Sequence, residues 1–309
     1  MYNKEKMRKM DKLDMKILNM LLDNCRESDR QIGKIIGISG GAVKSRIQKM
    51  IENKVIEKFT LKIEPPILGY NLFYVVVTGE NKDDILKQVK LIGDPFLVVP
   101  CVGGITVCGI VVKENVEQKI ELAKNLMRDV RVLSIFNAEN PGISSDLTRT
   151  DLEIIEKLLQ NPRAKIDEIA RATNFSTKTI TRSIEKLQND DAILFSLLYD
   201  PEKLSGYVPY AILVWVENDL KKTLKTLEKK FSNSFLQKPF IAKNQIVLFM
   251  YSDNIFKLDE LTQNVRDVDG VKFADLFIPK EINLPTKWIS DSIKLSKSSK
   301  KLHLVYQTH

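Results

Sequence analysis

A short segment near the amino terminus carries side chains suited to hydrogen bonding with nucleic acid. The spacing of Val43, Ile47 and Met50 predicts a helix over about 40–54 with these three residues on its inward face. Its start and its outward face then present small, amide and basic side chains, namely Ser39, Gly41, Lys44, Ser45, Arg46, Gln48 and Lys49. Lysine and arginine donate to phosphate or guanine, serine and glutamine bond base edges, and a helix start offers free N–H groups to phosphate. The pattern favours a surface that reads duplex DNA over a merely solvated basic face.

The residues around this segment predict the unit that would hold it. Residues 13–24 place apolar side chains at helical spacing, and Ser28 is a suitable N-cap for a second short helix before Gly37. Two short helices joined by a tight glycine-containing turn are typical of a helix-turn-helix, and we name its last helix the reader helix. Residues 55–63 alternate and are rich in β-forming types, which predicts a wing hairpin or a strand.

The same pattern occurs twice along the chain. A shift of 137 residues places residues 14–70 on residues 151–207 with fourteen identical pairs and no gap. A second reader helix is therefore predicted over about 177–190, with Lys178, Thr181 and Arg182 available to DNA. One such pattern is often only a packing unit, but the same pattern twice in register indicates a tandem duplication.

Behind each helix-turn-helix lies a segment with the predicted order β-α-β-β-α-β, which is the ferredoxin-like plan. The predicted fold class is α+β, with two tandem copies of a winged helix-turn-helix followed by a ferredoxin-like βαββαβ domain. The predicted segments are a winged helix-turn-helix at 1–66, a ferredoxin-like domain at 67–138, a linker at 139–149, a second winged helix-turn-helix at 150–203, a second ferredoxin-like domain at 204–279 and a basic C-terminal tail at 280–309. In the tail, the apolar residues around Trp288 are expected to dock on the body.

The net charge of +8 matters less by its size than by its location. Residues 1–12 carry five basic and two acidic residues, and residues 280–309 carry six and two. The first helix-turn-helix, at 13–64, has ten basic against seven acidic residues, whereas the second, at 150–200, has seven against nine. Because phosphate contacts require positive charge, the first copy is predicted to be the stronger DNA reader, and the second either a weaker reader or a scaffold.

Residues suited to catalysis or metal binding are scarce. The two histidines, His303 and His309, both lie in the tail, and the three cysteines form no C-x-x-C pair. No P-loop, G-x-S-x-G or H-E-x-x-H motif occurs. We therefore predict no enzyme, no catalytic residue, no metal site and no cofactor. The odd cysteine count favours the cytoplasm, and the charge-free residues 96–112 are too few and too broken by glycine and proline to predict a membrane span.

Three sequence blocks carry a family resemblance. They are LDMKILNMLLDN at 13–24, RESDRQIGKIIGIS at 26–39 and VKSRIQKMIENKVIEKFTLKI at 43–63, with weaker counterparts from residue 150 onward. These blocks resemble the leucine-responsive regulator/AsnC (Lrp/AsnC) family of prokaryotic, in particular archaeal, transcription regulators. The resemblance implies binding to double-stranded DNA through the helix-turn-helix units and assembly through the ferredoxin-like domains.

The resemblance also implies a position for a small-molecule effector. In that family the βαββαβ domain often binds an amino acid near its β2–β3 hairpin, where a glycine precedes acidic residues. This chain keeps the glycines there, so the implied effector site comprises Gly103, Gly104 and Thr106. The acidic residues are absent, so an α-amino group would lack its carboxylate partner.

Two other functions stay open at this stage. One is a protein-interaction scaffold, which suits the acidic second unit. The other is a sirohaem-decarboxylase-like enzyme subunit, since such subunits resemble the same layout, although their chemistry is expected to involve a core histidine. The apolar strands of the ferredoxin-like domains need cover, which either the other copy or a second chain could supply. We predict a homodimer.

Overall fold

The elements follow the predicted order and confirm the α+β fold class with two similar halves. The computed structural model describes residues 9–78, 82–113, 115–127, 131–138 and 147–305. The predicted linker at 139–149 lies largely outside these ranges, as does His309.

The first half contains three helices and a strand followed by an α+β unit. Its elements are α1 (Lys12–Asp23), α2 (Asp29–Ile36), α3 (Gly40–Glu52), β1 (Ile56–Ile63), β2 (Asn71–Thr78), α4 (Lys82–Ile92), β3 (Asp94–Pro100), β4 (Ile105–Val112), α5 (Val116–Leu126) and β5 (Arg131–Asn137). The reader helix of this half is α3.

The second half repeats this order and adds one helix. Its elements are α6 (Arg149–Gln160), α7 (Ile166–Thr173), α8 (Thr177–Asn189), β6 (Ile193–Tyr199), β7 (Val208–Val216), α9 (Leu220–Phe231), β8 (Phe235–Ala242), β9 (Gln245–Ser252), α10 (Lys257–Arg266), β10 (Val271–Phe277) and α11 (Lys287–Val305). The reader helix of this half is α8.

Side-chain caps fix where the first three helices begin. Asp11, Ser28 and Ser39 cap α1, α2 and α3 by accepting hydrogen bonds from backbone N–H groups of the first turn. Gly37 ends α2 in the left-handed conformation, with a φ of 79°, which favours glycine. Asn174 ends α7 in the same way, with a φ of 59°. The turn before the reader helix is therefore built alike in both halves.

Each half forms a four-stranded antiparallel sheet behind its helix-turn-helix. The strand orders are β3-β4-β2-β5 in the first half and β10-β7-β9-β8 in the second. Both orders have the ferredoxin-like topology. One face of each sheet is covered by its own helices, α4 and α5 in the first half and α9 and α10 in the second.

The strands that follow the two reader helices pair with each other. β1 and β6 run antiparallel, with Ile56 opposite Tyr199 and Ile63 opposite Ile193. Of the two forms predicted for residues 55–63, the strand is therefore the one observed, and its partner is the equivalent strand of the other half. A hairpin within one half does not form here because Pro65 starts a short 3-10 helix directly after β1.

Two arginines that are identical in the repeat reach across this two-stranded ribbon. The guanidinium carbon of Arg26 lies 5.0 Å from the ring centre of Phe195, and that of Arg163 lies 4.8 Å from the ring centre of Phe59. Arg26 also donates from Nη1 to the carbonyl oxygen of Pro162 at 2.7 Å. Each arginine belongs to one half and each ring to the other, so these contacts hold the two helix-turn-helix units together.

The two four-stranded sheets face each other across a shared apolar core. Leu72, Tyr74 and Val76 alternate along β2 onto this face and share the core with Leu213 of β7. The ring of Tyr74 also packs against Phe240 of β8 at a centroid distance of 5.5 Å. The two halves of one chain therefore cover each other's sheets.

This internal pairing alters the basis of the predicted homodimer. The prediction rests on apolar strands that need cover, and in the structure that cover comes from the same chain. A second chain is not needed to complete either sheet face. The edge strands still expose apolar side chains, with Leu133 of β5 42% exposed and Phe273 of β10 41% exposed. The homodimer stays a prediction, and it would have to use surfaces such as these edges.

The C-terminal segment docks on the body around Trp288, as predicted. Before α11, the chain runs along the edge of β3, where Val98 and Asn283 exchange backbone hydrogen bonds of 2.9 and 3.0 Å. Helix α11 then buries three apolar side chains in the core that it shares with α6: Trp288, Ile289 and Ile293. Leu295 is 55% exposed, so the docked face ends before it.

Candidate nucleic-acid interface

The reader helix of the first half directs most of the predicted side chains to solvent. Val43, Ile47 and Met50 are buried, as their spacing requires. Six of the seven predicted residues are exposed: Ser39, Gly41, Lys44, Ser45, Gln48 and Lys49. Ser39 also caps the helix, since its Oγ accepts the N–H of Ala42 at 3.1 Å. Gln48 donates from Nε2 to Glu52 at 3.1 Å, which leaves the amide oxygen available to a base.

Arg46 lies differently from the prediction. Its Nη1 donates to Asp14 Oδ1 at 2.6 Å and to Asp11 Oδ2 at 2.7 Å, and its side chain is only 20% exposed. Asp14 is itself buried in α1, so a cation facing it is held inward by a charge-assisted hydrogen bond. The guanidinium therefore ties the reader helix to α1, and we leave Arg46 out of the proposed DNA contacts.

The second half makes the same connection with different residues. Asp151, which corresponds to Asp14, accepts hydrogen bonds from the hydroxyl of Ser183 and from Thr148. Lys186 Nζ lies 3.5 Å from Asp151 Oδ2, the oxygen that also accepts from Thr148. Burial alone would raise the pKa of Asp151, but the hydrogen bonds from Ser183 and Thr148 and the charge of Lys186 outweigh it and hold the pKa below its ordinary value of 3.8. A buried carboxylate thus joins the first and third helices in each half.

This lowered pKa predicts how the second unit responds to acid. Because the folded pKa lies below the unfolded one, ionised Asp151 adds stability at pH values above about 3.8, and that stability is lost as the pH falls through the folded pKa. Asp151→Asn is therefore expected to destabilise the protein at pH 7 and to have a smaller effect at acidic pH. Urea unfolding of both proteins at the two pH values measures this. The matched control is Asp167→Asn at an exposed position of α7, and an equal effect of Asp151→Asn at both pH values would contradict the prediction.

The reader helix of the second half has a mixed outward face. Lys178 and Arg182 are exposed, and Thr181 is half-buried. Glu185 is exposed one turn after Thr181 and Arg182. This acidic side chain stands where the first reader helix has Gln48, so the second face offers phosphate less positive charge.

Glycine residues allow the close turn in front of the first reader helix. A Cβ on Gly33 would lie 2.5 Å from the carbonyl oxygen of Ile38, and a Cβ on Gly40 would lie 3.2 Å from Cγ of Arg30. Arg30 is exposed and therefore stands beside the start of the reader helix. Sequence reasoning did not single it out, although the Gly40-Gly41 pair marks the close approach that brings it there.

The ribbon of β1 and β6 sets the separation of the two reader helices. Each reader helix leads directly into its strand, and the strands are antiparallel, so the readers leave the ribbon at opposite ends. Ile63, which lies opposite Ile193, is seven residues after Ile56, and seven residues of a strand span about 24 Å. Paired helix-turn-helix units contact half-sites one helical turn apart, about 34 Å, whereas the ribbon fixes only the distance of about 24 Å between the points where the two readers leave it.

The implied effector residues lie at the turn between β3 and β4. Gly103 and Gly104 are exposed and have φ values of 83° and 73°, so they form the hairpin turn, whereas Thr106 is buried in β4. A cavity of about 180 Å³ lies elsewhere, between the segment after β1 and the start of α5. An effector at the hairpin stays a prediction.

Two family models match the helix-turn-helix units. The AsnC-type helix-turn-helix domain matches residues 10–51, and a winged helix-turn-helix DNA-binding domain matches residues 147–193. Both matches begin and end near the three-helix units described above. The first match confirms the resemblance to the Lrp/AsnC family, and the second confirms a winged helix-turn-helix in the second half.

Curated relatives include archaeal proteins named as helix-turn-helix transcriptional regulators. Ptr1 of Methanocaldococcus jannaschii is 32% identical over 26% of this chain and 57% of its own length. LrpA of Pyrococcus abyssi is 41% identical over 23% of this chain and 48% of its own length. An uncharacterized regulator of Pyrococcus horikoshii is 29% identical over 43% of this chain and 90% of its own length. The matches to Ptr1 and LrpA thus span about half of those relatives.

Solved structures with a similar fold include both regulators and an enzyme. The siroheme decarboxylase NirDL is 12% identical, with a TM-score of 0.49 over 92% of this chain and 99% of that one. LrpC of B. subtilis is 19% identical, with a TM-score of 0.33 over 43% of this chain and 94% of its own.

Two further features concern the described residues alone. Among them, no group of three or more histidine, cysteine, aspartate or glutamate residues is placed to hold a metal ion. No helix in this part of the chain is long and apolar enough to cross a membrane.

Proposed function

Because this chain carries an AsnC-type helix-turn-helix domain and a second winged helix-turn-helix domain, we propose that it is a DNA-binding transcription regulator of the Lrp/AsnC type. The observation that carries the proposal is the first reader helix, which turns two lysines, a serine and an amide to solvent from a capped and buried frame. The proposed contacts in the first half are Ser39, Gly41, Lys44, Ser45, Gln48 and Lys49, and those in the second are Lys178, Thr181 and Arg182. The place of action is the cytoplasm, where prokaryotic DNA lies.

The first test concerns single basic residues on the two reader helices. Lys44→Ala is expected to leave folding intact, because Lys44 is exposed, and to weaken DNA binding. A base contact would cost about 1–3 kcal/mol and relax specificity at one position, whereas a phosphate contact would weaken all sequences and reduce the salt slope by about 1. Arg182→Ala is expected to weaken binding less, because Glu185 and the acidic surroundings already disfavour phosphate. Titration of duplex DNA at two salt concentrations measures both effects.

The control for these variants is a lysine far from either reader helix. Lys225 is exposed on α9, on the outer side of the second sheet, so Lys225→Ala removes the same charge without touching the proposed interface. If Arg182→Ala weakens binding more than Lys44→Ala, the ranking of the two halves is wrong. If neither variant differs from Lys225→Ala, the proposed interface is wrong.

A protein-interaction scaffold is the second candidate, and the charge of the second unit favours it for that half. Exposed Glu185 on α8 and exposed Asp167 and Glu168 on α7 make the surface around this reader helix partly acidic. Binding of random duplex DNA at low and high salt distinguishes the two functions. A DNA reader would bind the duplex with an affinity that falls as the salt concentration rises. A scaffold would show no such salt-dependent affinity for the duplex.

We propose that the protein is not an enzyme. The sequence has only two histidines, His303 and His309, so the helix-turn-helix units and the ferredoxin-like domains offer none as acid, base or ligand. Purified protein is therefore expected to show no porphyrin absorbance and no decarboxylation of sirohaem. Either signal would contradict this part of the proposal.

The oligomer expected for this regulator is a homodimer with four helix-turn-helix units. The exposed edges of β5 and β10 offer one route to it. Light scattering decides between the homodimer and a self-sufficient chain. A concentration-independent mass near 35.4 kDa would contradict the homodimer and leave one chain, with its two readers, as the binding unit.

A further inference from the structure

The two reader faces differ at four of the six proposed contact positions and agree at the other two, Ser39 and Lys49, whose counterparts are Ser176 and Lys186. The repeat shift pairs Gly41 with Lys178, Lys44 with Thr181, Ser45 with Arg182 and Gln48 with Glu185. A glutamine amide suits adenine, an arginine guanidinium suits guanine, and a glutamate accepts from the amino group of cytosine. The base sequence that suits one reader helix therefore does not suit the other.

The structure holds these unlike readers in one fixed pair. The ribbon of β1 and β6 and the shared core between the two sheets join the halves of a single chain. A homodimer presents two identical readers to DNA and thus matches an inverted repeat. In this chain the two readers are paired as in such a dimer, but they are not identical to each other.

The two halves of the chain are also not related by exact twofold symmetry. In the first half, α1 lies directly on β8, where Asn19 donates from Nδ2 to the carbonyl oxygens of Phe235 and Leu236 at 3.2 and 2.7 Å. In the second half, α6 instead packs on α11, whose Trp288 contacts Phe96 of β3 at a centroid distance of 6.1 Å. The C-terminal helix is present once, so the two helix-turn-helix units stand on unlike supports.

We propose that one chain recognises a single asymmetric duplex site, composed of two unlike half-sites about one helical turn apart, and not an inverted repeat. The inference rests on the DNA-binding function proposed above. On an inverted repeat, one of the two readers always meets the wrong half-site. Each mismatched base pair there lowers affinity by roughly 5- to 150-fold.

Selection of random duplex DNA by the full chain tests the inference. The selected site is expected to be asymmetric, and an artificial inverted repeat of either half is expected to bind at least about tenfold more weakly at the same salt. A site in which the two half-sites read by one chain are inverted copies of each other, or equal affinity of one chain for such a repeat, would overturn the inference. Two asymmetric sites in inverted order are what the homodimer would select, and they would support it. Selection of one isolated half-site would overturn it as well while leaving DNA binding by the first reader in place. Failure to bind any duplex would overturn the proposed function itself.

A variant that replaces the outward residues of one reader helix by those of the other tests the inference more directly. The variant G41K/K44T/S45R/Q48E gives the first reader helix the outward face of the second. These positions are exposed, and a Cβ on Gly41 would meet only Ser39 Oγ, at an ordinary 3.9 Å, so the fold is expected to persist. The exchanged chain is expected to select two like half-sites and to bind an inverted repeat of the second half-site about tenfold more tightly than the original chain does.

The reciprocal variant K178G/T181K/R182S/E185Q is the matched control. It is expected to select two copies of the first half-site, and it keeps the inference testable if the first exchange fails to fold. Circular dichroism establishes folding for both. If either folded exchange variant selects the same site as the original chain, the outward residues do not determine the site and the inference is wrong.

Discussion

Replacing Trp288 by alanine is expected to lower the free energy of unfolding by about 4 kcal/mol, the largest loss that we predict for a single substitution. The indole is 2% exposed and packs edge-on against Tyr70 at a centroid distance of 5.3 Å, and against Phe96 at 6.1 Å. Its removal leaves a cavity between α11, α6 and β3 that rigid strands cannot fill by collapsing. Urea unfolding followed by circular dichroism measures the loss.

The same helix provides the control for this prediction. Leu295 is 55% exposed, so Leu295→Ala is expected to change the free energy of unfolding by no more than about 0.5 kcal/mol. Removal of residues 281–309 is expected to destabilise the body at least as strongly as Trp288→Ala. An unchanged unfolding midpoint for the truncated chain would contradict the docked position of α11.

Arg46→Ala is expected to destabilise the first helix-turn-helix by about 2 kcal/mol, because hydrogen bonds to charged groups contribute about 1.5–3 kcal/mol. The substitution leaves Asp14 buried without the guanidinium that faces it and removes the ion pair between Asp11 and α3. Loss of DNA affinity is then expected to follow the loss of fold, not the loss of a DNA contact. Urea unfolding and DNA titration at a temperature where the variant is folded separate the two effects.

Two variants make this distinction sharp. Arg46→Lys keeps one charge and is expected to recover part of the stability, while it cannot form both hydrogen bonds with the same geometry. Lys44→Ala, on the exposed face of the same helix, is expected to leave stability unchanged and to lower affinity. If Arg46→Ala is as stable as the original chain and binds DNA more weakly, Arg46 contacts DNA and the inward position is not the one used in the complex.

The helices and strands were predictable because each has a clear period and clear ends. Residues 208–216 are an unbroken run of apolar and aromatic residues that forms β7, and Ser39 and Gly37 mark the turn before α3. The repeat then doubled the evidence for every element. Local sequence was enough for these elements because the forces that form them, capping and one-sided burial, act over a few residues.

The direction of Arg46 and the partner of β1 were not predictable in this way. With 3.6 residues per turn, Arg46 lies at the boundary between the inward and outward faces of α3, so the period does not decide its direction. Its partner Asp14 is 32 residues away in the sequence. Likewise, the alternation in β1 predicts a strand without naming β6 as its neighbour. Both choices depend on contacts between distant segments, which a local pattern does not contain.

The repeat did hold a signal for such contacts. Asp14 and Asp151 are identical partners of their reader helices, and Arg26 and Arg163 are identical contacts across the ribbon. Four outward positions of the reader helices differ instead: Gly41 and Lys178, Lys44 and Thr181, Ser45 and Arg182, and Gln48 and Glu185. For the aspartate pair and the arginine pair, identity between the copies accompanies a structural role.

The ribbon of β1 and β6 joins two readers that already belong to one polypeptide. Separate subunits dissociate on dilution, so the fraction of paired readers in a dimer depends on how much protein is present. A covalent connection replaces that encounter with an intramolecular one, whose effective concentration is on the order of millimolar. The number of paired readers therefore rises in direct proportion to the number of chains, without a quadratic onset. A cell holding only a few copies would still have every reader paired, and its response would be graded with protein abundance.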